Sequence, residues 1–97
     1  MQAYLVIDLN ITDLPGFMLY AQRIPALIEK HAGRYIVQGV EPTVIEGSGD
    51  QLQRSVIIEF PSRLAAHAFL DERRNSDLHS IWSNATDSRI LLVDGCD

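Results

Sequence analysis

SVIIEFPSRLAAHAFLDER, Ser55–Arg73, changes its period midway. Ser55, Ile57 and Glu59 alternate with Val56, Ile58 and Phe60, the two-residue repeat of a strand. Pro61 and Ser62 interrupt it, and Ser62 can cap a helix running through about Arg73. The N-terminal half holds the same succession. Ala3 to Leu9 is rich in β-formers and reads as the first strand. Asp13 can cap the helix that follows, with Pro15 in its first turn. Leu14, Phe17, Met18, Ala21, Ile28 and Ala32 recur at helical spacing and are expected to face the core. Pro25 lacks an N–H and clashes with the Ala21 carbonyl, so a kink or two short helices is expected, with Gly33 as the stop.

Between these halves, Arg34 to Glu46 is a long β-like segment interrupted at Gly39 and Pro42, where a bulge is expected. GSGD at Gly47–Asp50 reads as a turn. A short helical turn fits between Asp77 and Ala85, and Arg89 to Val93 reads as the last strand. The order is β-α-β-β-α-β, an α+β fold of the ferredoxin-like kind with a four-stranded antiparallel sheet. Right-handed crossovers would put strands 1 and 3 at the centre and strands 4 and 2 outside.

The 97 residues fit one domain, taken as 1–97. Apolar residues at 46% and charged residues at 22% are ordinary globular usage. A net charge of −5 argues against nucleic acid, whose phosphates are held by clustered Lys and Arg. No apolar run is long enough to cross a bilayer, and no export signal is evident at the N-terminus. A single cysteine, Cys96, allows no internal disulfide, which suits a cytoplasmic setting.

Two helices cover only one face of a four-stranded sheet. Tyr4, Val6 and Asp8 share the uncovered side of strand 1, as Ser55, Ile57 and Glu59 do in strand 3. Such a half-apolar face exposed to water exceeds what monomers tolerate, and a two-fold copy of the chain is the simplest cover. The second strand also looks longer than its hairpin partner, leaving backbone groups another chain could pair.

Four stretches in order, YAQRIPALIEKHAGRYIVQG (Tyr20–Gly39), VIEG (Val44–Gly47), VIIEFPS (Val56–Ser62) and DSRILLVDG (Asp87–Gly95), resemble the bacterial family known as domain of unknown function 1330. His31 and Gln38 depart from the aromatic residue and arginine usual there. The resemblance implies a dimeric α/β barrel built from ferredoxin-like protomers. That group includes cofactor-independent monooxygenases, isomerases, haem enzymes and proteins without known activity, so the fold alone does not choose a function.

No phosphate-binding glycine loop, nucleophile elbow or paired-cysteine metal site is present. His31, His67 and His79 have no ligand spacing, so no metal site or cofactor is expected. A haem reading with His31 or His67 as iron ligand follows only from the resemblance. Cys96 reads as a passive thiol near the C-terminus. Asp8 and Glu59 are candidate proton carriers, because a carboxylate enclosed on the uncovered face would lose hydration. They belong near opposite ends of that face, where ion pairing is the simpler role. Tyr20, Ile24, Leu27 and His31 form a second helical stripe that could line a pocket between helix and sheet, with the Tyr20 hydroxyl as polar handle. Arg34, just beyond, could hold a carboxylate or enolate. Arg89 could pair with Asp87 or Glu59. Two functions follow. One is a dimer binding a small organic metabolite, as a cofactor-independent oxygenase or isomerase; the other is a non-catalytic dimeric interaction or scaffold module.

Overall fold

Alternating side chains from Ala3 to Ile11 build β1, whose Ala3, Leu5, Ile7 and Leu9 are buried while the residues between are half-exposed. A computed structural model of the chain describes residues 1–47 and 54–96. Helix α1 follows at Leu14–Lys30, then β2 at Arg34–Val40, β3 at Arg54–Phe60, α2 at Arg63–Arg74, α3 at Leu78–Ala85 and β4 at Thr86–Asp94. The strands lie in the order β2-β3-β1-β4, with β1 and β3 central, and every pairing is antiparallel. The α+β ferredoxin-like reading therefore holds. The short helical turn expected between Asp77 and Ala85 is an eight-residue third helix, Leu78–Ala85, and it runs directly into β4.

Side-chain caps set the starts of α1 and α2. The Asp13 carboxylate accepts from the Gly16 N–H, and the Ser62 hydroxyl accepts from the Ala65 N–H at 3.1 Å. α1 is continuous through Pro25, not two helices. Pro25 and Ala21 are both exposed, so water can serve the carbonyl that loses its partner. Ala32 N–H donates to Glu29 O and Gly33 N–H to Ile28 O, the paired bonds of a Schellman end.

β2 stops at Val40, before Pro42, and is seven residues long like β3. Within the described residues it therefore does not outrun its partner. Its register shifts between Tyr35 and Val37 and again between Gln38 and Val40, where Gly39 has φ 67°. Of the expected Gly47–Asp50 turn, Gly47 has φ 90° and the other three residues lie outside the described range.

The core is the helix-side face of the sheet. Leu5, Leu9, Phe60 and Phe69 are its largest fully buried side chains, and the two phenylalanine rings lie 5.1 Å apart. Tyr20, Ile24 and Ile28 carry α1 into it. Leu14 and Met18, expected there, are 57% and 53% exposed, and Ala21 and Ala32 are also exposed. Trp82 of α3 sets this rotation, stacking 4.8 Å from the Tyr20 ring and 6.3 Å from the Phe17 ring. A paired contact from Arg23 to Asp77, at 2.7 and 2.9 Å, fastens α1 to the start of α3.

Candidate ligand-binding site

A cavity of about 350 Å³ opens between α1 and the helix-side face of β1, β2 and β3. It lies within the size range of small-molecule sites, roughly 300–1,000 Å³. Ile7, Ile24 and Ile58 make part of its apolar wall, and Leu14, Met18 and Ala21 turn toward it instead of the core. The rotation of α1 that withdraws these side chains from the core thus presents them to the cavity.

The polar groups in the wall are few. Tyr20, Tyr35 and Trp82 line it, and Gln38 and Arg54 join them from the β2–β3 side. The bulge at Gly39 accounts for Arg54, whose Nη1 donates to the Gly39 carbonyl at 3.0 Å. Trp82 is oriented by donating its Nε1–H to the Ser88 hydroxyl at 2.8 Å. Burial raises the Tyr20 pKa above the usual phenol value, partly opposed by the neighbouring Arg73 cation, which donates Nε–H to the Tyr20 oxygen at 2.8 Å. Burial also raises Tyr35, and nearby Tyr20 adds to it.

The four sequence candidates fall on two faces. Tyr20 is in the cavity wall, with Ile24 of the same stripe. Arg34, Asp8 and Glu59 lie on the opposite face. Arg34 Nε donates to Glu59 Oε1 at 2.8 Å, and the Tyr4 hydroxyl donates to Glu59 Oε2 at 2.9 Å. These two partners hold the Glu59 carboxyl below its ordinary range, Arg34 contributing most. Asp8 accepts from Arg89 at 2.9 Å and from the Ser55 hydroxyl at 3.4 Å. Arg89 therefore pairs with Asp8, not with Asp87 or Glu59. Asp8 is opposite Ser55 and Glu59 opposite Tyr4, four residues apart along β1, so the carboxylates do not converge.

Arg34 misses the cavity because β2 starts on the outer parity. Sequence reasoning missed Tyr35, one residue later and facing inward, along with Trp82, Arg54 and Arg73. The alternation of β2 could have found Tyr35; only tertiary packing brings the other three near Tyr20. His31 Nε2 lies 2.9 Å from Glu72 Oε1, and His67 is exposed on α2. Neither lines the cavity, so these residues do not fit a haem. Among the described residues no three His, Cys, Asp or Glu side chains gather as metal ligands. No helix is long and apolar enough to cross a membrane.

The fold is shared with solved structures. A protein of unknown function from Rhodopseudomonas palustris, RPA0582, aligns over 99% of this chain and 83% of its own, with TM-score 0.75 and 15% identity. SnoaB, a cofactor-independent oxygenase from Streptomyces nogalater, aligns over 99% of this chain and 94% of its own, with TM-score 0.63 and 12% identity. The designed protein Foldit4 aligns over 98% of this chain and 99% of its own, with TM-score 0.64 and 7% identity. Among curated proteins, none matches the chain. The profile of one family matches residues 2–96, the whole sheet and all three helices, and the chain belongs to that family, domain of unknown function 1330 (DUF1330).

Proposed function

We infer that the chain is a homodimeric α/β-barrel protein that binds a small, largely apolar organic molecule in the cavity between α1 and the sheet. The cavity carries this reading: a mostly apolar wall with a few polar side chains, Tyr20, Tyr35, Gln38, Arg54 and Trp82, is how a site for such a ligand is built. The likeness in fold to SnoaB, a cofactor-independent oxygenase, supports chemistry of that kind, with Tyr20 as the orienting group; an isomerisation is the alternative reaction. Asp8, Glu59 and Arg34 then serve the opposite face, where their ion pairs border the apolar surface that a second protomer covers.

Thermal unfolding with a panel of hydroxylated aromatic and carboxylate-bearing metabolites tests this. A ligand at a hundred times its dissociation constant adds about 2.7 kcal/mol. A domain of this length gains roughly 4–8 °C per kcal/mol. Stabilisation by one chemical series, abolished when Ala21→Trp fills the cavity, is the expected result. A folded dimer that no compound stabilises overturns it.

The second reading is a non-catalytic dimeric scaffold. It is favoured by the pairing of Asp8 and Glu59 with arginines, which leaves neither carboxylate as a free base. The same screen separates the two readings.

A further inference from the structure

Arg73, in the last turn of α2, is 5% exposed. Its guanidinium sits 5.7 Å from the Tyr20 ring centroid and 5.5 Å from that of Trp82. Among the described residues no carboxylate forms an ion pair with it, and its Nη2 is buried without a hydrogen-bond partner. A buried cation without counter-charge is strongly unfavourable, and the two aromatic faces offset only part of that. Both of those rings are walls of the cavity, so the cation lies behind part of its wall, and the Tyr20 phenol is near enough to that of Tyr35 to raise its pKa.

The hydroxyls are arranged to receive an anion. Tyr20 already accepts from Arg73, so its own O–H is left to donate. Tyr35 lines the same cavity, and its hydroxyl has no hydrogen-bond partner among the described residues. Burial keeps both phenols protonated at neutral pH, hence both are donors.

We propose that Tyr20 and Tyr35 cradle the oxyanion of a phenolate or enolate ligand, with Arg73 as the positioning residue that polarises Tyr20 from behind. This rests on the cavity reading above and names its ligand class. Two donors and one buried positive charge suit an anion centred on a single oxygen of a flat apolar body. A neutral ligand would leave Arg73 without counter-charge. A carboxylate would bring a second, strongly hydrated oxygen, which only Gln38 and Arg54 at the β2–β3 side could serve.

The full chain is titrated with 4-nitrophenol, whose phenolate is coloured, and with 4-nitroanisole, its neutral methyl ether. The bound phenol is expected to ionise about one pH unit below the free phenol, and its anion to bind about tenfold more tightly than the ether. Tyr20→Phe and Tyr35→Phe should each remove much of the shift, and Arg73→Met all of it. Arg73→Lys, which keeps the charge, should restore part. If Arg73→Met does not fold, the lysine and phenylalanine variants decide the question. Equal binding of both probes without a shift overturns the oxyanion cradle and leaves the cavity as a site for neutral molecules. A shift that survives in both phenylalanine variants also overturns it. Failure of both probes to bind counts against the cradle and the ligand-binding reading together.

Discussion

An alanine holds the left-handed position that ends α1, Ala32 with φ 62°, while the glycine beside it is not left-handed. The reason lies across the core. A Cβ on Gly33 would meet Phe60 Cε1 at 2.6 Å and Ile28 Cγ2 at 2.9 Å, both parts of buried side chains. Gly33 is therefore needed for close approach, and Ala32 is left with the strained backbone. Gly33→Ala should destabilise by about 1–3 kcal/mol through overpacking. Ala32→Gly should stabilise by about 0.5–1 kcal/mol. Urea midpoints at unchanged m-value would read both effects. The stop itself is legible in the sequence, but which residue turns is not, because the deciding contact is with a strand about thirty residues away. Glu59 supplies a pH test. Its folded pKa lies below the ordinary 4.5, so its stabilisation is complete above pH 4.5 and is lost as pH falls through the lowered value. Glu59→Gln should flatten the fall in melting temperature over that acid range, while a wild-type slope in the variant would remove the pair from the account.

The elements are legible where the hydrophobic period is simple and not where it is doubled. In β1 and β3 strict alternation shows which residues face the helices, and Leu5, Leu9, Ile58 and Phe60 are indeed buried. α1 is different, since Leu14, Phe17, Met18, Leu19, Ile24, Leu27 and Ile28 put apolar side chains nearly all round it. Periodicity then gives a helix without its phase, and packing against Trp82 chooses the Tyr20–Ile24–Ile28 stripe. The consequence is measurable. Ile24→Ala should cost about 2–5 kcal/mol. Met18→Ala should change stability by less than about 0.5 kcal/mol but weaken ligand binding at the cavity mouth. Comparable losses of stability in both variants would mean that the helix sits in the other phase. The β2 bulge at Gly39 is legible too, since glycine and a later proline both break a strand. That it brings Arg54 to the cavity depends on pairing with β3, which no local pattern encodes.

The whole molecule is a slab, 33 × 32 × 16 Å along its principal axes, thin because one sheet carries one layer of helices. On its bare face Leu91 and Val93 are 44% and 43% exposed, with Val6 and Ile57 half-buried beside them. The Asp8–Arg89 and Glu59–Arg34 pairs flank this strip. Parity along the strands is enough to mark out that face, because side-chain direction in a strand follows from position alone. In the proposed homodimer, Leu91→Lys would remove apolar burial twice through the two-fold axis. At about 1.5 kcal/mol per side chain that weakens association roughly a hundredfold. Sedimentation velocity would show a folded monomer, whereas an unchanged dimer would place the contact elsewhere. Trp82 is the chain's only tryptophan, clamped between Tyr20, the Arg73 cation and the Ser88 hydroxyl. Its fluorescence therefore comes from a single known spot beside the cavity. A guest entering there should shift or quench that emission without any added dye, while separating the protomers should leave its colour unchanged.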